Sequence, residues 1–209
     1  VKLAASHMAL AIESAQLYIK LDELYHLRER SMERDLKLAK AVQESFLPAR
    51  VPRVEGFSFA ALNRPALEVG GDFYNFFRLP EKKLGIVIGD VSGKGIAASL
   101  FMARLSSDLQ YYSSLFTEPG KLLSKLNKQL CVRAKQGMFV TLVYILLDIK
   151  TGQICFSNAG HISPLFVDEQ GAQTMGSHQA KGPPLGILSE AEYGQDRFMV
   201  KNKGMVLIY

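Results

Sequence analysis

The chain has no tryptophan and two cysteines among 209 residues. Cys131 and Cys155 fall in different predicted elements and form no C-x-x-C spacing, so neither a disulfide framework nor a cysteine zinc site is indicated. A reducing cytoplasm fits that usage. No apolar run approaches the roughly 20 residues that cross a bilayer. The start also lacks the basic, apolar, small-residue layout of a secretory signal. There is no strong excess of either charge: the net value is +5, and bases alternate with acids in Asp22-Glu23, Arg28-Glu29-Arg30 and Glu33-Arg34-Asp35. That interleaving describes a solvated helix face, and no nucleic-acid partner is expected. With 48% hydrophobic residues, the composition excludes a disordered chain.

Proline and glycine are both missing from residues 3 to 46, where good helix formers dominate. One long helix is predicted. Leu3, Leu10, Leu17 and Leu24 recur every seven residues and Leu38 rejoins the phase after Ser31; the second seam mixes Leu21 and Val42 with His7, Arg28 and Asp35. Two readings follow: an amphipathic helix lying on its own domain, or a parallel two-helix linker that dimerises the protein below an upstream sensory module. The expectation is the second, with residues 1–47 a helical linker and 48–209 the globular domain. Pro48 and Pro52 mark the boundary, because proline cannot continue a helix and restricts the residue before it.

Beyond Pro52 the pattern alternates between periods. Residues 57–63, 73–79 and 84–89 read as strands, with Lys82-Lys83 as a turn. Residues 96–112 carry a helical stripe at Ile96, Leu100, Ala103, Leu105 and Leu109. A second helix over 117–134 has Thr117 as its cap candidate, Pro119 in its first turn, and Leu122, Leu123, Leu126 and Leu130 on its buried face. Residues 138–149 and 153–157 form an antiparallel pair about Lys150-Thr151-Gly152. Shorter strands are expected at 164–167 and 197–201, and Met205 to Tyr209 reads as an unfinished strand. Strands flanking a central helical pair imply an α+β layered fold.

Chemistry concentrates in two segments. Glu68-Val69-Gly70-Gly71-Asp72-Phe73 is followed, 18 residues after Asp72, by Gly89-Asp90-Val91-Ser92-Gly93-Lys94-Gly95. Each aspartate follows a glycine at the edge of an apolar β run. Alone, each is an ordinary turn residue. Together, on neighbouring strands, the two carboxylates suit a hard cation that prefers oxygen, Mn²⁺ or Mg²⁺. Gly93, Lys94 and Gly95 stand at a helix entrance, where backbone N–H groups favour an anion.

These segments resemble the first two metal motifs of the metal-dependent protein phosphatases of the PPM (protein phosphatase 2C) type. The match is nearer to the bacterial branch that includes stage II sporulation protein E and the sigma-factor-regulating phosphatases. Further matches follow in order: Ala41-Val42-Gln43-Glu44-Ser45-Phe46-Leu47-Pro48, Asn158-Ala159-Gly160-His161-Ile162-Ser163-Pro164 and Gly182-Pro183-Pro184-Leu185-Gly186. The resemblance runs from about Leu36 to Tyr209. It implies two stacked antiparallel β-sheets flanked by helices, with metals at one edge. Asp90 would bridge two ions, the Val91 carbonyl would complete the shell of one, and Asp72 would bind directly or through water. It also implies a Thr-Asp-Gly motif directly after a run such as 205–209 and a later aspartate. Residues 1–209 then hold half of the expected metal carboxylates, and a protein ending at Tyr209 is expected to bind metal weakly.

Three departures bear on function. Relatives often carry histidine where this chain has Lys94, so that side chain is either a cation near phosphate or a solvated lysine. The animal enzymes place a phosphate-gripping arginine shortly before the first metal aspartate, whereas Leu67 and Glu68 stand in that region. Gly70-Gly71-Asp72-Phe73 also resembles the diguanylate cyclase signature, but Phe73 replaces the required glutamate, which sets that reading aside. His161 and Asn158 are expected to support a loop at the site's edge. The function implied is a phosphoprotein serine/threonine phosphatase of the cytoplasm, acting on an anti-anti-sigma-factor-like substrate. The competing reading is a non-catalytic dimeric interaction module of the same fold.

Overall fold

A computed structural model describes residues 2–65, 67–133, 137–200 and 203–209. The predicted ends at Ala134 and Lys201, and the start at Val1, lie outside the described residues. The chain divides into two compact units, Val1–Ala41 and Val42–Tyr209.

The first unit is helical: α1 runs Lys2–Glu44, 43 residues and about 65 Å at 1.5 Å per residue, its last three residues belonging to the second unit. Leu10, Leu17, Leu24 and Leu38 of the seven-residue series are all exposed. The side chains of Leu3 and His7 are outside the described set. The helix ends in a tightened turn, with the N–H groups of Ser45, Phe46 and Leu47 donating to the carbonyls of Val42, Gln43 and Glu44 ahead of Pro48.

The second unit holds two sheets. β1 (Phe73–Leu79) and β2 (Lys83–Val91) form a hairpin, followed by α2 (Gly95–Leu115) and α3 (Pro119–Arg133). A second hairpin, β3 (Val140–Asp148) and β4 (Gln153–Ala159), turns at Gly152, whose φ of 74° favours glycine. Then come β5 (Leu165–Asp168), β6 (Gly171–Thr174), a 3-10 turn at His178–Ala180, β7 (Lys181–Gly182), β8 (Asp196–Met199) and β9 (Met205–Leu207). The larger sheet has the order β1-β2-β3-β4-β7 with β8 also on β4, and the smaller runs β6-β5-β9. Among the described residues the strand pairings are antiparallel except the two-residue β4–β7 pair.

Strand periodicity builds two cores from one sheet. Val87, Val91, Leu142, Tyr144 and Leu146 face α2 and α3, where they meet Met102, Leu105, Leu109, Leu122 and Leu126. The alternate residues Leu84, Val143, Ile145 and Leu147 face the other way and pack with Phe156, Phe166 and Met175, with Val206 against them. β3 is therefore buried on both faces, which explains its unbroken apolar run. Each such fully buried leucine contributes about 1.5–3 kcal/mol. The α+β architecture with stacked sheets and outer helices is as the sequence implied.

Four expectations change. Residues 57–63 form no strand: only an isolated Val54–Phe57 bridge occurs, while Phe57 and Phe59 pack against the second core. Their alternation reflects burial of two rings without a neighbouring strand to pair. The buried stripe of α2 is Ala98, Met102, Leu105, Leu109 and Tyr112, while Ile96 and Leu100 are exposed. The helix carries two apolar faces, and the one spaced 4-3-4-3 faces the sheet. Thr117 is not the cap of α3; Pro119 opens the helix and the Glu118 carbonyl accepts the first bond, from Leu122. The strand expected to stop at Gly89 continues through Asp90 and Val91, because β3 keeps pairing with it there.

Candidate metal centre at the sheet edge

The β1–β2 register pairs Phe73 with Gly89, so one further step sets Asp72 opposite Asp90. Glycine is required beside both. A Cβ on Gly89 would lie 2.8 Å from the Phe73 ring, and one on Gly71 would collide with the carbonyl oxygen of Val91. The Val91 N–H donates to the Gly71 carbonyl at 3.4 Å. The Asp72 carbonyl is held from outside by Asn63 Nδ2 at 3.2 Å. The chain thus brings Asp72, Asp90 and the Val91 carbonyl to one corner of the larger sheet.

The two carboxylates feel each other. Asp90 is pushed up to about 6, first by partial desolvation of its carboxyl, then by the Asp72 charge and a hydrogen bond with Asp72, although the residue as a whole remains exposed. Two like charges held together are costly unless a cation or proton joins them. This is the property that makes the pair fit a hard divalent ion: oxygen donors, converging charge and glycines that leave the backbone open. Among the described residues, no group of three or more His, Cys, Asp or Glu forms that could hold a metal. Asp72, Asp90 and the Val91 carbonyl would by themselves make up only part of a donor set.

The row continues across the sheet. Thr141 pairs with Asp90, and its Oγ1 lies 2.7 Å from His161 Nδ1. His161 Nε2 is buried and has no hydrogen-bond partner among the described residues. Burial holds the His161 imidazole below its ordinary value, against the pull of the Asp72 charge and the Tyr209 backbone, which favours the neutral ring. Asn158, 2% exposed, donates from Nδ2 to the His161 carbonyl at 2.9 Å and accepts the His161 N–H on Oδ1 at 2.8 Å. That reciprocal pair pins the loop at Gly160, whose φ is 69°.

Gly93 and Lys94 lie just past this corner. Gly93 and Gly95 have φ of 99° and 70°, so both need glycine, and Lys94 caps α2 by position with no side-chain bond. Both Gly93 and Lys94 are exposed. Sequence reasoning missed three residues that shape the site. Thr141 was legible only as a polar residue opening an apolar strand. Ser92 accepts the Phe139 N–H on Oγ and donates its own N–H to the Phe139 carbonyl, both at 2.9 Å, tying the loop after Asp90 to the entry of β3. Gln43 is a lone amide in the last turn of α1.

Residues 80–209 match the family described as Stage II sporulation protein E (SpoIIE). Over 180 residues the chain is 29% identical to the phosphoserine phosphatase RsbU of Bacillus subtilis, covering 86% of this chain and 53% of that protein. The chain thus spans about half the length of that curated relative. Among solved structures it is similar to the SiaA-PP2C domain of Pseudomonas aeruginosa, with a TM-score of 0.68 at 16% identity, covering 85% of this chain and 71% of that one. It is also similar to RsbX in complex with magnesium, with a TM-score of 0.54 at 15% identity, covering 70% and 69%. At these identities the structural likenesses speak for the fold.

Proposed function

The chain belongs to the stage II sporulation protein E family, with a PP2C-type phosphatase domain, and from that premise we propose that it is a metal-dependent protein serine/threonine phosphatase. The observation that carries the reading is the opposition of Asp72 and Asp90 across the β1–β2 ladder, with Gly71 pressed against the Val91 carbonyl. Asp72, Asp90 and the Val91 carbonyl would hold Mn²⁺ or Mg²⁺. When bound, two such ions supply an activated water and neutralise charge on a phosphoryl group.

The protein's own residues do the rest. Thr141 and His161 brace the strand next to Asp90, and Asn158 fixes the loop that carries His161. The open N-terminus of α2, where Lys94 makes no side-chain cap bond, would offer backbone N–H groups at Gly93 and Lys94 to the phosphate. No residue would supply a covalent nucleophile in this scheme: the phosphoryl group would pass to water, with the serine released as its alcohol and the proton given up by the water balancing the leaving oxygen.

The substrate class that this family supports is a phosphoprotein of the anti-anti-sigma-factor kind. The exposed leucines of α1 support a homodimer through that helix, coupled to a sensory domain upstream. No helix among the described residues is long and apolar enough to cross a membrane, and cytoplasmic placement is part of the proposal.

The test is Mn²⁺-dependent hydrolysis of an aryl phosphate and of a phosphoserine protein by the full-length protein, beside Asp90→Asn. Activity that requires Mn²⁺ and vanishes in the variant supports the phosphatase. A folded wild-type protein that hydrolyses neither substrate and binds no Mn²⁺ leaves the dimeric interaction module in its place.

A further inference from the structure

The last turn of α1, from Val42 onward, is itself part of the second unit and is bonded to the rest of that unit at two places. Gln43, 7% exposed, donates from Nε2 to the Gly70 carbonyl at 2.6 Å and accepts the Gly70 N–H on Oε1 at 3.2 Å. Three residues later the Phe46 carbonyl accepts from Asn75 Nδ2 of β1 at 3.2 Å and from Ser106 Oγ of α2 at 3.5 Å. The second contact fixes where the turn sits. The first fixes what it holds.

Gly70 and Gly71 have no side chains with which to anchor themselves, and they immediately precede Asp72. A glycine pair is the loosest backbone a chain can offer. Gly71 must be side-chain-free because the Val91 carbonyl occupies the space a Cβ would take. Restraint therefore has to come from elsewhere. A primary amide can satisfy both the donor and the acceptor of one residue at once. By gripping Gly70 through N–H and C=O together, Gln43 limits its rotation about φ and ψ.

We propose that Gln43 is a positioning residue of the metal centre: its amide clamps Gly70 from the end of α1 and so fixes the Asp72 carboxylate opposite Asp90. This rests on the metal-centre reading given above. Partners one shell out from a ligand typically alter metal affinity by about 10- to 100-fold. The competing role is that of a satisfied core amide, which matters for stability and for nothing else.

The experiment uses the full-length protein as wild type, Gln43→Leu and Gln43→Glu. Leucine has similar bulk and removes both bonds; glutamate keeps an acceptor for the Gly70 N–H and loses the donor to its carbonyl. Mn²⁺ binding is measured by calorimetry without substrate, amide hydrogen exchange is followed over residues 70–73 in metal-free protein, and folding is checked by thermal melts. In Gln43→Leu, Mn²⁺ binding is expected to weaken by about tenfold. Exchange over residues 70–73 should accelerate by about tenfold while the rest of the sheet keeps its protection. If either folded variant keeps wild-type Mn²⁺ affinity and wild-type exchange at Gly70, the clamp is overturned and Gln43 is a core amide. If wild type itself binds no Mn²⁺, the metal reading fails separately, and exchange at Gly70 alone decides the clamp. If Gln43→Leu does not fold, Gln43→Glu is judged by the same two readouts.

Discussion

Thr141 stands directly across from Asp90 in the β2–β3 ladder, and its hydroxyl oxygen lies 2.7 Å from Nδ1 of His161. One side chain thus joins the strand bearing a carboxylate to the loop bearing the only ring at this corner with an unpaired, buried nitrogen among the described residues. Thr141 thereby links β2, β3 and the loop after β4.

Replacing it tests that role. Thr141→Val keeps the shape and removes the hydroxyl, leaving His161 Nδ1 without its partner. The expected cost is about 1–2 kcal/mol of unfolding free energy, because a half-buried polar atom is left unsatisfied. Urea denaturation of Thr141→Val beside Thr141→Ser measures it, and serine should recover most of the loss. Equal stability of all three would show the hydroxyl to be idle.

The Asp90 carboxyl gives a pH dependence with a definite sign. Its folded value of about 6 lies above its ordinary 3.8, so between roughly pH 4 and 6 the folded protein holds a proton that the unfolded chain releases. In metal-free protein this term favours folding at the acid end and is lost as pH rises through 6. Asp90→Asn should flatten that slope and be more stable than wild type at pH 7 to 8 in the presence of a chelator. Mn²⁺ affinity of the wild type should fall below pH 6 as the proton competes. Chemical denaturation across pH 4 to 8 and metal titration at pH 5.5 and 7.5 check the two statements.

Gly71→Ala addresses the contact behind Asp72. The added methyl meets the Val91 carbonyl, a backbone atom that cannot rotate away. Forcing a group into a filled space costs about 1–3 kcal/mol, and the shift it demands moves the Val91 oxygen or Asp72. Gly93→Ala is the contrast: nothing lies within 4 Å there, and only its φ of 99° opposes alanine. The expected result is a lower melting temperature in both, with weakened Mn²⁺ binding specific to Gly71→Ala.

These residues show what the sequence could and could not convey. Apolar periodicity located β1, β2, β3, β4 and both domain helices, because strand and helix spacing are local properties of the chain. Residues 57–63 carried the same alternation without becoming a strand, since pairing depends on an edge that lies elsewhere. β6 was missed because Gly171–Thr174 is wholly exposed and carries no large apolar residue. At the site, Asp72 and Asp90 were legible from their glycines and spacing. Gln43 lies in the segment Ala41 to Pro48 that carries the family resemblance, yet nothing local says that an amide 27 residues upstream grips Gly70. Thr141 needed the register between two strands separated by two helices.

The last prediction concerns α1 by itself. Leu10, Leu17, Leu24 and Leu38 are between 57% and 66% exposed, although they share a seven-residue phase. A helix leaving that series in water forgoes the burial that leucine ordinarily gains, about 1.5–3 kcal/mol for each side chain. A second copy of the same helix, in parallel, is the simplest surface that repeats with the same phase. The polar residues Arg28 and Asp35 in the seam weaken such a pairing and set its register. Leu17→Lys combined with Leu24→Lys should therefore convert a dimer into a monomer in sedimentation experiments while the melting of residues 42–209 stays unchanged. A wild-type protein that sediments as a monomer at tens of micromolar would remove the dimer from the proposal. Activity of the monomeric variant then decides whether pairing is needed for catalysis or only for receiving a signal.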